Sequence, residues 1–364
     1  MTKTIRNLQT AFIIAFALVA AGLLYWQLLR ADDLTARSDN PRRVIAEQRI
    51  KRGKILTADG IALAETITGA DGLSLRRYPY PNLATVTGYY SVRYGTGGLE
   101  AAFDAQLRGD ANQTWLDALL HRPPVGQNIT VTIDLPMQVT ADTGLAELNA
   151  TGAVVVLNAR TGALAVMASR PTFDPNRLDE DWDTLSTDPA APLLNRATQG
   201  LFPLGELSAL VQSVATAEDI SPEMAVHQLN FDGEIPFSLP TASGVIPAEL
   251  PQKADEIAVT PLHIALVAAA LADDGFAPPP ILVQTNNPAR TPRRLVSPET
   301  ASVLREKFAD VSALALPDVT GAEPLSWYVG IRGEMVVVAV VTSPQSNPDA
   351  ARSIGQSVFS HFDK

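Results

Sequence analysis

Residues 152–168 read GAVVVLNARTGALAVMA. Gly152–Leu157 is a continuous, valine-rich apolar run, the composition of a buried strand. Asn158-Ala159-Arg160-Thr161-Gly162 supplies turn chemistry, and Ala163–Ala168 returns as a second strand. Such a pair needs helical cover. Thr260-Pro261 opens a helix, with Thr a good N-cap and Pro suited to the first helical position. The run to Ala272 is almost wholly apolar, so this helix is expected to be buried, and Asp273-Asp274-Gly275 ends it. Leu325–Ile331 and Glu334–Thr342 read as a closing hairpin around Arg332-Gly333, and Pro348–Phe362 as a helix packing on that sheet. Strands, a helical middle, strands and a last helix predict an α+β fold, an antiparallel sheet covered by helices.

Toward the N-terminus this domain begins near Ile129, after a linker at His121-Arg122-Pro123-Pro124. From Ile55 to about Gly126, short apolar runs broken by Gly and Pro predict a small α+β module. Residues 31–54 are polar and basic, as in an exposed stalk. Leu8 to Leu29 is a 22-residue stretch without a charge, long enough to span about 30 Å of hydrocarbon. Tyr25 and Trp26 sit near its end, where aromatic side chains favour the lipid–water interface. A cleaved signal peptide would have a shorter apolar region and small residues at the cleavage site. The boundary here is Leu28-Leu29-Arg30-Ala31, so an uncleaved anchor is expected. Lys3 and Arg6 favour a cytoplasmic N-terminus. Arg37, Arg42, Arg43 and Arg49 count against it, but long C-terminal domains cross largely regardless of charge. The expected division is 1–30 cytoplasmic tip and anchor, 31–126 stalk and pedestal, and 127–364 the sheet domain.

The chain has 364 residues and a formal net charge of −11. Residues 1–30 carry +3 and residues 31–54 another +3, which leaves −17 on the remaining 310. A body so acidic repels phosphate backbones, so nucleic acid is not expected as a partner. There is no cysteine, which excludes disulfides and thiolate chemistry. His121, His227, His263 and His361 lie far apart, without metal-ligand spacing. No metal or cofactor is expected.

A series of collinear motifs resembles the class B penicillin-binding proteins, the single-pass D,D-transpeptidases of bacterial cell walls. After the anchor come Asn40-Pro41-Arg42, Arg52-Gly53-Lys54-Ile55, Asp59-Gly60 and Leu63-Ala64. Arg77-Tyr78-Pro79, Gly88-Tyr89, Gly97-Gly98-Leu99-Glu100 and Leu107-Arg108-Gly109 follow. Thr132-Ile133-Asp134 with Gln138 is similar to the entry to the transpeptidase domain. Gly152–Met167, Phe173-Asp174-Pro175-Asn176, Asn195-Arg196-Ala197 and Thr260-Pro261-Leu262 with Ala265 complete the series. The resemblance implies a transmembrane helix, a pedestal, and a penicillin-binding, β-lactamase-like transpeptidase domain.

Family members cleave a D-Ala-D-Ala stem peptide through a serine acyl-enzyme. A Ser-x-x-Lys motif puts nucleophile and base one helical turn apart. A Ser-x-Asn motif assists proton transfer, and a Lys-Thr-Gly strand binds the substrate carboxylate and borders the oxyanion hole. Here the segment after Asn195-Arg196-Ala197 reads Phe202-Pro203-Leu204-Gly205-Glu206-Leu207-Ser208-Ala209. Glu206 stands at the serine position and Ala209 at the lysine position. None of the six lysines has a serine three residues before it, and none begins Lys-Thr-Gly. The one Ser-x-Asn triplet, Ser38-Asp39-Asn40, lies in the stalk. Val319-Thr320-Gly321 before Trp327 resembles the third motif with its lysine replaced.

The expected function is a catalytically inactive pseudo-transpeptidase, a scaffold or regulator of peptidoglycan synthesis. It would be single-pass in the cell membrane, with its bulk outside. The resemblance implies a membrane-embedded cell-wall glycosyltransferase or another cell-wall synthesis protein as partner, through anchor and pedestal, with peptidoglycan a further ligand of the old cleft. The alternative is an active serine D,D-transpeptidase or β-lactam-binding enzyme whose nucleophile the motifs do not reveal.

Overall fold

The computed structural model describes residues 2–26, 30, 47–70, 72–110, 124–250, 252–284, 291–316, 323–342 and 347–362. Asn40-Pro41-Arg42, Ser38-Asp39-Asn40 and His121-Arg122-Pro123 of the linker lie outside the described residues, as does Val319-Thr320-Gly321.

Helix α1 is Thr2–Leu24. Its stretch Ile5–Leu24 is long and apolar enough to cross a membrane, and none of it is buried against the rest of the chain.

The pedestal is built from short pieces. Its elements are β1 (Ile55–Leu56), β2 (Ala62–Thr68), β3 (Ser74–Arg77), α2 (Ala84–Thr87), β4 (Tyr89–Ser91), β5 (Gly95–Gly97), α3 (Gly98–Ala102) and α4 (Asp104–Arg108). A fourth strand joins its sheet from beyond the expected boundary. This is β6 (Ile129–Thr130), parallel to β1 in the order β3-β2-β1-β6. Two glycine-dependent approaches draw the pieces together. A Cβ on Gly53 would lie 1.9 Å from Gln127 O, and one on Gly98, at φ +60°, would lie 2.6 Å from Gly88 Cα. No side chain fits either place. At the centre Glu100, fully buried, takes Arg52 on one carboxylate oxygen at 2.8 Å and Arg76 on the other at 2.6 Å.

The sheet domain opens with α5 (Leu135–Glu147), whose N-cap Asp134 accepts from Met137 N–H. Then come β7 (Gly152–Asn158), β8 (Leu164–Arg170), α6 (Leu178–Thr187), β9 (Phe202–Pro203), α7 (Ala209–Glu218) and α8 (Pro222–Gln228). The chain continues through β10 (Ala258–Val259), α9 (Pro261–Ala272), β11 (Phe276–Ala277), β12 (Arg293–Arg294) and α10 (Pro298–Phe308). It closes with β13 (Asp310–Ala315), β14 (Leu325–Arg332), β15 (Met335–Thr342) and α11 (Asp349–Phe359).

The five-stranded antiparallel sheet runs β13-β14-β15-β7-β8. Its register sets Val155 opposite Val338 and Trp327 opposite Val340. Side chains alternate faces along each strand, so the two covering layers divide the valines between them. Val154, Val156, Val337 and Val341 pack with Leu145, Ile354 and Phe359 under α5 and α11. Val155, Val338, Val340 and Trp327 share the other core with Ile264 and Ala268 of α9. The valine run at 152–157 is thus explained by cover on both faces. Helix α9 carries the expected cap, Thr260 Oγ1 accepting from His263 N–H at 3.3 Å.

Pedestal and sheet domain meet through side-chain amides, of which Asn176 and Asn195 lie in the quoted motifs. Asn176 accepts from Tyr78 N–H at 2.9 Å and donates to Tyr78 O at 3.0 Å. Asn195 donates to Thr85 O at 3.3 Å, and Asn82 donates to Asp142 at 2.6 Å. The Asn176 and Asn195 bonds satisfy backbone groups that interdomain burial would otherwise leave unpaired.

Candidate functional site

The turn before α7 is pinned from three sides. Strand β9 pairs with β10, Leu204 N–H donates to Ile257 O at 2.8 Å, and the buried Trp327 indole donates to Pro203 O at 2.8 Å. Leu204, Leu207, Leu210 and Val211 point into the core. The periodicity therefore turns Glu206 and Ala209 outward, and both are exposed.

Gly205 lets this turn approach the sheet edge. At φ +53°, a Cβ there would lie 2.3 Å from Leu314 O and 2.4 Å from Ala315 Cα. The strand beside Glu206 is therefore β13. Glu206 Oε2 accepts the backbone N–H of Leu314 at 2.9 Å. Strand β13 reads Asp310-Val311-Ser312-Ala313-Leu314-Ala315, without Lys, Thr or Gly. Arg352 of α11 holds its start, donating to Ser312 Oγ at 2.8 Å and to the Asp310 carboxylate at 2.9 Å.

A nucleophile–base pair is absent at this place. Ala209 cannot take a proton. Attack by Glu206 on an amide would yield an anhydride, with no neighbouring base at position 209 to assist. Three residues, Asp219–Ser221, separate α7 from α8, and the described residues contain no Ser-x-Asn triplet.

One serine–lysine contact escaped sequence reading because its partners are 94 positions apart. Lys307 Nζ donates to Ser213 Oγ at 2.8 Å. Ser213 sits inside α7 and Lys307 is exposed at the end of α10. An exposed ammonium donates to a hydroxyl rather than receiving its proton. A mid-helix residue also has no free backbone N–H to stabilise an oxyanion.

A separate cavity of about 240 Å³ lies between the α8–β10 connection and α9, lined by Leu229, Glu234, Leu266, Pro279 and Arg293. His263 forms part of its wall. Its Nδ1 meets Thr260 Oγ1 at 2.8 Å and its Nε2 donates to Gly233 O at 3.0 Å. Burial holds this imidazole below its ordinary range. Both nitrogens are satisfied, so the ring is a structural bridge.

A family profile described as the penicillin binding protein A dimerisation domain matches residues 52–129, which is the pedestal with β6. Peptidoglycan D,D-transpeptidase PbpA of Mycolicibacterium smegmatis is 28% identical over 404 aligned positions, 84% of this chain and 82% of the relative. Over most of its length the chain is similar to these peptidoglycan D,D-transpeptidases, which are class B penicillin-binding proteins. PbpA of Mycobacterium tuberculosis is 31% identical over 233 residues, 59% of this chain and 47% of the relative. The structure of penicillin-binding protein A from M. tuberculosis, as its imipenem acyl-enzyme complex, superposes with a TM-score of 0.79. It covers 88% of this chain and 100% of that one at 22% identity. That likeness establishes the shared fold.

Proposed function

We propose that this chain is a class B penicillin-binding protein and a pseudo-transpeptidase that serves peptidoglycan synthesis without acyl transfer. The observation that carries the reading is the exposed pair Glu206, in the turn before α7, and Ala209, the first residue of α7, where the family needs serine and lysine. The strand facing them supports it. Glu206 contacts β13, whose Asp310–Ala315 carries no lysine, and Val319-Thr320-Gly321, the third-motif match in the sequence, has valine in the lysine's place. Losing a nucleophile–base unit removes several orders of magnitude of rate, and the separate losses are not additive.

On this reading the chain is anchored by α1 with its N-terminus cytoplasmic and its bulk outside. It acts as a scaffold or regulator and pairs with a membrane-embedded cell-wall protein through anchor and pedestal. The deciding experiment is labelling of the full-length protein with a fluorescent penicillin, read by gel and intact-mass spectrometry. No adduct is expected. A stoichiometric acyl adduct overturns the reading.

The second reading, a serine enzyme with an unrecognised nucleophile, has one observation in its favour, the Ser213–Lys307 hydrogen bond. If acylation is found, Ser213→Ala should abolish it on that reading.

A further inference from the structure

The site leaves open whether the old cleft still receives a ligand without reacting. Three features bear on it. Strand β13 is an edge strand of the sheet, and an edge presents backbone N–H and C=O groups to whatever lies alongside. The Leu314 N–H is not open to a visitor, since it donates to Glu206 Oε2 at 2.9 Å. The approach is also fixed by backbone. Gly205 lies so close to Leu314 and Ala315 that no Cβ fits between them, so the carboxylate one residue on is delivered to the strand edge by a turn that cannot drift away.

We propose that Glu206 is a resident ligand of its own cleft, a tethered carboxylate that occupies the amide site on β13 and excludes carboxylate-terminated peptides even as reversible ligands. This rests on the reading that the chain performs no acyl transfer, and it chooses scaffold over peptidoglycan binder. A tethered group competes at high effective concentration. A visiting peptide carboxylate must displace Glu206 from Leu314 and then lie beside the displaced negative charge, with repulsion added to the lost hydrogen bond. Positions 209 and 311–313, which are alanine, valine, serine and alanine, supply no cation to offset that repulsion.

The test uses the full-length chain in detergent, with acetyl-D-Ala-D-Ala as probe. Three proteins are compared: wild type, Glu206→Ala and Glu206→Gln. Position 206 is exposed, and matched thermal unfolding verifies that the variants fold. Two quantities are read, dipeptide binding by titration calorimetry and hydrogen exchange at the Leu314 amide. Wild type should bind no dipeptide and protect Leu314. Glu206→Ala should exchange that amide at least tenfold faster and bind the dipeptide at least tenfold more tightly. Glu206→Gln keeps an acceptor without charge, so it should retain the protection. The proposal is overturned if wild type binds the dipeptide as well as Glu206→Ala does. Unchanged exchange in Glu206→Ala also overturns it, as does faster exchange without binding. Reversible binding by wild type with no penicillin adduct defeats this proposal alone, whereas an adduct defeats the pseudo-transpeptidase reading beneath it.

Discussion

Two side chains show how the environment decides a residue's role. His263 is 2% exposed, and burial lowers its pKa from the ordinary 6.5. Below that value the unfolded chain binds a proton that the folded chain refuses, so stability is complete above it and falls as the medium is acidified. The carboxylates of Glu218 and Glu334 are held below their ordinary value, so they titrate at lower pH than this window. Melting temperature should therefore drop between about pH 7 and 5.5 in wild type, and His263→Gln should flatten that slope. An identical slope in the variant would show that another group is responsible. Glu206 offers the second case. Restoring Glu206→Ser and Ala209→Lys together supplies a nucleophile and a base, but no Ser-x-Asn triplet and no Lys-Thr-Gly strand. No penicillin adduct should appear in the intact mass of the double variant, and a measurable one would mean that the remaining cleft is competent.

At the scale of elements, the pedestal depends on one buried triad. Glu100 is fully buried, and the Arg52 and Arg76 side chains are each 3% exposed. Removing one partner of a buried ionic group leaves uncompensated charge, which costs about 3–5 kcal/mol. Glu100→Gln should lower the unfolding free energy by that order, read as a shift in denaturant midpoint. A loss under about 1 kcal/mol would place the guanidiniums in contact with water. No sequence pattern pointed to this triad, because its members are 24 and 48 positions from Glu100. The elements that were legible are those whose reason is local. Valine runs at 152–157 and 336–341, the cap at Thr260 and the turn at Gly333 all state their structure within a few residues. Strands β1, β6 and β9 have two residues each and cannot display a period. Strand β13, Asp310–Ala315, shares none of the letters of the third motif. Its place beside Glu206 comes from a contact spanning 108 positions.

Across the whole molecule, several of the motif residues are explained by the contacts that hold its pieces together. Asn176 and Asn195 clamp pedestal to sheet domain, and Gly53 and Gly98 are required by backbone approach within the pedestal. Bulky residues at those glycines would therefore probe folding rather than an interface, so a test of partnership belongs on the anchor. Helix α1 is exposed throughout Ile5–Leu24. Ala17 and Ala21 lie one turn apart there, and small residues at that spacing let membrane helices pack closely. If anchor and pedestal recruit a polytopic cell-wall protein, replacing Leu8–Leu29 with an unrelated apolar 22-residue helix should keep the chain in the membrane and lose most of the co-purified partner. Glu206→Ala serves as the companion variant. Its change is confined to the cleft, so it should recover the partner at the wild-type level. Quantitative mass spectrometry of the purified complexes reads both. Equal recovery with the substituted anchor would remove the helix from the interface, and loss with Glu206→Ala would move the partner's contact to the cleft.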